Sequence, residues 1–600
     1  MKRATPLICL VVICLSLPGT LGAMTFTVTD TADTGPGSLR DAITLAEAFR
    51  PIADTIRFNI PYAGIQTIIL WSQLPALTDT AGVLIDGLSQ PGASAGAQPP
   101  STANILIQVE GSFAGPAYGL LITSPNNTIR GLSITAFEQS GVCIQGTPYP
   151  TRNNVIYCNF IGVSPGGTNM RGNGWNQLGP WSGVEIVAPG AADFTDRNTV
   201  SANLISGNYA NGLSIGGYCQ AYWNFVHDNL IGTDITGMTN FGNTRCGIVL
   251  DDGAHMNTIN DNLIAWNGTD GISLIGNSMS SPPRLTQYNI IHDNVIGLAS
   301  DRVTPAPNAM AGINVGGYSH IYFEGHATNN TIGPNNAIAH NAWDGIRVLE
   351  DWHDTTNGDG NFITRNSIYG NGRLGIDLNI DGVTMNDPGD TLDWGPNQEL
   401  NFPHIVLAYD SCGYTTIFGS IDIDSNPRLS LVEIFKARSD TSGYGEGEVY
   451  LGTTYPDSIG KWRITVTGLV GGDSVTATTT DMASNTSEFS LCEQVWDVTA
   501  GIDGDSPSAE PLLAVIGPNP ARNAVAIRYV LPAAGPVRLG IYDVAGRRVR
   551  LLVDRHRRQG SHSECWDGRD DVGRQVAGGI YFLRFESAGT AAVTKAVLVR

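Results

Sequence analysis

Charge is what this chain of 600 residues has least of. Asp, Glu, Lys and Arg make up 15% of it, against about 25% in an ordinary soluble domain. Cations are the scarcer sign, with 34 Lys+Arg facing 55 Asp+Glu and a formal net charge of −21. Of those cations 14 fall within residues 511–600, beside 7 acidic residues, so the body upstream is more acidic still. Phosphate binding needs clustered cations, so nucleic acid is excluded as an expected partner and anionic lipid is disfavoured. Cysteines form no C-x-x-C pair, which removes the usual zinc site. There is no G-x-S-x-G, H-E-x-x-H or phosphate loop. Gly reaches 72 residues without a three-residue period, so collagen is excluded. After the first residues no apolar run is long enough for a membrane-spanning helix.

What is present begins with an export signal. Lys2 and Arg3 precede the apolar run Leu7–Leu17, and Gly22 and Ala23 offer small residues for cleavage, so residues 1–23 read as a signal peptide. Ile13 before Cys14 argues against a lipoprotein box. Seven cysteines remain beyond it: Cys143, Cys158, Cys219, Cys246, Cys412, Cys492 and Cys565. A disulfide between Cys412 and Cys492, which bracket one unit, suits an oxidising compartment, and the odd count leaves at least one thiol free.

Between Ser124 and Ile380 the chain repeats itself. One element, Gly–aliphatic–x–aliphatic, starts at Gly141, Gly183, Gly212, Gly247, Gly271, Gly312, Gly345 and Gly375. A second is an Asn opening a short apolar run, with another Asn five residues on, as at Asn154/Asn159, Asn224/Asn229 and Asn289/Asn294. Alternating runs of three or four residues are strands, and three such runs per unit describe one coil of a right-handed parallel β-helix. The 35 Asn between 124 and 380 suit its turns and stack as ladders. Thr25–Val28 reads as an edge strand. Ser38 caps a short helix with Asp41 three residues on, and Leu39, Ile43 and Ala46 face the first coil.

The stretch FTVTDTADTGPGSLRDAITLA, followed by DTIRFNIP and LIDGLSQPG, resembles the N-terminal motif of exported bacterial surface proteins of the CSLREA type. Gly37 stands where the family name has Cys and Asp41 where it has Glu. The pectin-lyase-like column that follows is similar to that group, and the resemblance spans roughly residues 24–500. Residues 24–398 are therefore expected to be the β-helix with its N-terminal cap, and 399–497 an Ig-like β-sandwich. Residues 498–510 form a linker, and 511–600 a second sandwich. In that last segment IRY, LGIYDVAGR, WDGR and GIYF stand in order. They resemble the C-terminal Ig-like domain shared by flagellar hook-capping proteins and type IX secretion sorting domains. That resemblance implies passage across an outer membrane, the secretion machinery as partner of 511–600, and a secreted or outer-surface location in a bacterium. The export route stays open between the two families.

The column's fold also serves polysaccharide lyases and glycosidases, and fold alone does not give function. In each Gly–aliphatic–x–aliphatic the x position points outward: Cys143, Glu185, Ser214, Val249, Ser273, Asn314, Arg347 and Asp377. Arg347 and Asp377 fall on neighbouring coils, about 4.8 Å apart. They could be cation and base of a lyase, or a surface ion pair worth about 0–1 kcal/mol. Asp251 and Asp252 with His255 could serve glycoside hydrolysis, but adjacent residues before Gly253 diverge as a turn. The loop Glu350, Asp351, Trp352, His353, Asp354 is the best binding candidate: carboxylates suit Ca²⁺ and Trp352 a sugar face, though a solvated acidic loop looks the same. No cofactor is otherwise evident. His227-Asp228-Asn229 and His292-Asp293-Asn294 take the same place in two coils, which argues for structure. The Asp pairs and Gly-His-Gly of polygalacturonases are absent. The expectation is a non-catalytic protein for adhesion or carbohydrate binding, with a polysaccharide or surface glycan as partner. The alternative is an extracellular polysaccharide lyase or glycoside hydrolase. An enzyme should bring carboxylates and cations together in a cleft, whereas a binder should carry aromatic or polar ladders that do not converge.

Overall fold

The computed structural model describes residues 22–599 apart from 49, 177, 178, 180, 279, 318–324, 326, 350–357, 392–394, 412, 439, 441, 498–512, 517, 518, 522–524, 532, 588 and 589. Short aliphatic runs punctuated by Asn and Gly cannot bury themselves, so each pairs with the same run one coil later. The result is three parallel sheets of 11, 10 and 9 strands, wound as a right-handed parallel β-helix. The first sheet runs from Thr25–Val28 to Phe362–Ile363, the second from Gln66–Ile69 to Ser367–Tyr369, and the third from Leu120–Ile122 to Ile376–Leu378. The all-β expectation and the β-helix are borne out. Inside, register puts like on like: Ile156, Val200, Val226, Ile259, Ile291 and Ile332 form one fully buried file. A Cβ on Gly271 would lie 2.6 Å from the carbonyl oxygen of Gly312, so the third-sheet strands open on Gly because neighbouring coils touch there.

Three asparagine ladders hold the corners. The first climbs through Asn127, Asn154, Asn198, Asn224, Asn257, Asn289, Asn330, Asn361 and Asn397. The second runs Asn159, Asn203, Asn229, Asn262, Asn294, Asn336, Asn366. Both are the Asn pair five residues apart. The third runs Asn173, Asn208, Asn243, Asn267, Asn308, Asn341, Asn371. At nearly every step the backbone N–H and the side-chain amide of one Asn both donate to the Oδ1 of the next. This satisfies groups that the turn would otherwise leave buried and unpaired.

Both ends are closed. Helix Leu39–Ala48 buries Leu39, Ala42, Ile43 and Ala46 on the first coil. Ser38 Oγ accepts from Asp41 N at 3.1 Å, and Asp41 reaches back to Gly37 N at 3.3 Å. Arg40 is fixed by Asp33 and by the carbonyls of Ser72 and Gln73. At the far end, strands from the unit expected at 399–497 lie directly on the last coil. Phe435 and Phe489 join the column's own core. Glu446 accepts from Asn371 N at 3.0 Å and from its side-chain amide at 2.9 Å, continuing the third ladder with a carboxylate. Glu433 accepts from Thr364 Oγ1 and Arg365 N at 2.8 and 3.0 Å, and Glu488 from Leu378 N at 2.9 Å. Asn485 and Thr486 take the N–H groups of Gly360 and Ile363 at 2.7 and 3.0 Å.

That unit has seven strands between His404 and Asp497 around Val432, Ile434, Trp462 and Val475. Residues 513–598 form a separate antiparallel pair of sheets, of three and four strands, around Trp566, Tyr529 and Phe585. The expected Cys412–Cys492 bridge is corrected. Cys492 is a free thiol whose Sγ donates to Tyr444 O at 3.4 Å, Cys412 lies outside the described residues, and Cys565 is disulfide-bonded. Residues 1–21 of the expected signal segment also lie outside. No helix among the described residues is long and apolar enough to cross a membrane.

Candidate functional site

The outward residues of the third sheet are not at the surface. Cys143, Glu185, Ser214, Val249, Ser273, Asn314, Arg347 and Asp377 are all buried, so that face is covered. Strand periodicity tells which side points away from the core; it carries no information about what covers that side. Arg347 and Asp377 do stand in register on adjacent strands. Arg347 reaches the other way: Nε donates to Asn314 Oδ1 at 2.7 Å and Nη2 to Asp270 at 3.0 Å. Asn314 in turn donates to Ser273 Oγ at 3.0 Å. The Arg347–Asp377 pair therefore does not form, and the cation a lyase would need is already neutralised. Asp251 and Asp252 diverge. Asp252, at φ 47°, pairs with Arg284 at 2.9 Å and accepts from Asn277 at 2.8 Å, while Asp251 turns over Gly216. His255 stacks on Tyr222 at 5.1 Å, away from both carboxylates. The loop residues Glu350, Asp351, Trp352, His353 and Asp354 lie outside the described residues. Among the described residues no three His, Cys, Asp or Glu side chains are grouped to hold a metal ion.

Burial raises several carboxyls on this covered face. Glu185 accepts from Ser140 Oγ at 2.7 Å, yet burial pushes it up to about 7. Burial, with Asp252 and Glu185 nearby, pushes Asp251 up to about 8. Burial, with Asp344 and Asp381 nearby, lifts Asp377 to about 7. At the column's end burial lifts Glu488 to about 8. Each binds a proton more tightly folded than unfolded, so its stabilisation is complete below pH 4 and disappears as pH rises through 7 to 8. Across that interval each group lowers the unfolding free energy by up to about 1.4 kcal/mol per pH unit. The thermal midpoint should fall between pH 5 and pH 8 and level off above that, and Glu185→Gln should flatten part of the slope. Scanning calorimetry across that range would show this, and a midpoint that rises would contradict it.

A second face is open. Just before the first ladder, each coil turns a corner through one left-handed residue. Arg197, Trp223, Met256 and Tyr288 occupy it at φ 54° to 57°. Their side chains therefore point outward, one above another, and Trp223, Met256 and Tyr288 are 41%, 42% and 49% exposed. Two residues on, Phe225, Thr258 and Ile290 stand in register on the first sheet, with Phe225 and Ile290 exposed. Tyr222 packs edge-on to Trp223 at 5.1 Å, and Arg197 lies over the Trp223 ring at 4.5 Å. Beyond them His227, Asn260 and His292 bond to Asp228, Asp261 and Asp293, each at 2.6 Å. These Asp occupy the next left-handed corner, at φ 55° to 58°, so the repeated His-Asp-Asn is indeed a corner and ladder device. Sequence reading missed the aromatic file. Trp223, Met256 and Tyr288 are 33 and 32 residues apart, and each stands immediately before a first-ladder Asn, which is the signal that finds them.

No family model matches the chain. It is similar in structure to the A-module of a mannuronan C-5 epimerase from Azotobacter vinelandii, at 14% identity over 60% of this chain and 96% of that one, with a TM-score of 0.30. It is also similar to a full-length tailspike protein of an Escherichia coli O157:H7 bacteriophage, at 10% identity over 94% and 70% of the two chains, with a TM-score of 0.24. A third similarity is to dimeric latent PorU from Porphyromonas gingivalis, at 16% identity over 33% of this chain, with a TM-score of 0.14. There the matched part spans 20% of the other protein's length.

Proposed function

We propose that this is a secreted or cell-surface modular protein whose β-helix binds a glycan without turning it over. One observation carries the reading: the outer face around Trp223, Phe225 and Tyr288 is an exposed aromatic platform flanked by hydrogen-bonding side chains, with no converging acid, base and cation among the described residues. Aromatic rings against sugar faces and polar groups against hydroxyls are the general means of holding carbohydrate. The apolar run Leu7–Leu17 and the sorting-type features of 511–600 support export, with the secretion machinery as partner. Trp223→Ala should weaken binding of the full chain to its polysaccharide about tenfold, roughly the worth of one aromatic stack. Isothermal titration measures this, and unchanged affinity would remove the site from the account.

A second reading is favoured by Glu185. A buried carboxyl raised to about 7, followed two coils on by Asp251, approaches the state a glycoside hydrolase asks of its acid. It requires that the cover over the third sheet open to substrate, and product release abolished by Glu185→Gln would establish it.

A further inference from the structure

The platform also restricts which glycan it holds, and this inference rests on the glycan-binding reading. Strands Phe225–His227, Thr258–Asn260 and Ile290–His292 are parallel and in register. Chemically similar side chains therefore recur at intervals of about 4.8 Å up the column rather than around it. One border of the strip is apolar: Trp223, Met256 and Tyr288. The opposite border is acidic: Asp228, Asp261 and Asp293, where Asp228 is 60% exposed at its side chain. Among the described residues no Lys or Arg pairs with these three. Their partners are the side chains of His227, Asn260 and His292, and that of Asn335 for Asp293. Of the guanidiniums bordering the strip, Arg197 is bound by Asp196 and stacked on Trp223, and Arg365, two coils beyond Asp293 in the same corner file, faces Glu433 at 3.7 Å. The hydrogen bond from His292 keeps Asp293 below the ordinary carboxylate range, so it stays ionised down to low pH.

An apolar border and a parallel row of carboxylates held by His and Asn rather than by Lys or Arg suit one class of chain. Hydroxyls and amino groups can donate to Asp228, Asp261 and Asp293, whereas a uronate or sulfate on each sugar would meet like charge at every coil. We infer that the ligand is a glycan free of carboxylate and sulfate groups, lying along the column axis over Trp223, Met256 and Tyr288 with its hydroxyl or amino groups on Asp228, Asp261 and Asp293. The net charge of −21 acts in the same direction over longer range.

The test uses the full chain at low ionic strength with xylan, mannan and chitosan on one side and polygalacturonate and alginate on the other. The uncharged or amino polymers should bind, and Trp223→Ala and Tyr288→Ala should each reduce binding about tenfold. The polyanions should bind at least tenfold more weakly, with the gap narrowing in 1 M salt as charge is screened. The triple variant Asp228→Asn, Asp261→Asn, Asp293→Asn should weaken xylan and mannan binding while improving that of polygalacturonate. Polyanions that bind as tightly as xylan, or a triple variant that leaves the preference unchanged, would overturn the assignment of ligand class and leave the glycan-binding reading standing. Failure of all five polymers to bind would overturn both.

Discussion

A chain ending at residue 398 should fail to remain monomeric. The last coil offers the N–H groups of Gly360, Ile363, Asn371 and Leu378 upward, and in the intact protein Asn485, Thr486, Glu446 and Glu488 receive them. Phe489 lies over Gly375, and with Phe435 it closes the top of the core. Without these residues the column ends in bare parallel strand edges above an open apolar file, which is a template for pairing with a second chain. Size-exclusion chromatography with light scattering should show aggregates for residues 24–398 and a single species for 24–497. Milder variants grade the same effect. Phe489→Ala should cost about 3–5 kcal/mol, as large aromatic truncations in cores do. Glu446→Ala leaves the backbone and side-chain donors of Asn371 without their acceptor, at about 1–3 kcal/mol for each buried group. A monomeric, cooperatively folding 24–398 would show that the β-helix ends itself and does not need the following unit as its cap.

The second large effect is expected in the middle of a ladder. Asn262 accepts from Asn229 N at 3.1 Å and from its amide at 2.9 Å, and it donates to Val226 O, Asn260 O and Asn294 Oδ1 at 2.9, 2.9 and 3.0 Å. All but the bond to Asn260 are fully buried, so Asn262→Ala strands donors and acceptors on three successive coils. A loss of at least about 3 kcal/mol should follow from summing two or three such groups. Thr258→Ala, on the open side of the same coil, should cost less than about 0.5 kcal/mol. Urea unfolding of the two variants gives the comparison. Similar midpoints for both would mean the ladder contributes little beyond the strands themselves.

The column was largely legible because its determinants are local and repeated. Gly271-Ile272-Ser273-Leu274 shows in four residues which side chains enter the core, and Ile272 and Leu274 do so at 0% exposure. Two of the three ladders were visible as the Asn pair five residues apart. The third was present as Asn-x-x-x-Gly, in Asn208/Gly212, Asn243/Gly247, Asn341/Gly345 and Asn371/Gly375, but an Asn beside a Gly reads equally well as an ordinary turn. The site was harder to read for two physical reasons. Alternation identifies Glu185, Arg347 and Asp377 as outward-pointing, yet their burial depends on what covers that face, which no periodicity encodes. Arg347's partner Asp270 lies 77 residues away, and the groups that close the last coil lie 68 to 125 residues beyond it. Trp223, Met256 and Tyr288 become one file only when coil lengths of 33 and 32 residues have been placed in register.

The most direct test of the account incubates the full chain with xylan, mannan and chitosan. Bound polymer and newly released reducing ends are measured in the same samples, for the native protein, Trp223→Ala and Glu185→Gln. The expected result is binding without release, about tenfold weaker in Trp223→Ala and unchanged in Glu185→Gln. Reducing ends that accumulate with the native protein and vanish in Glu185→Gln would contradict it, and would place the chemistry on the covered face of the third sheet.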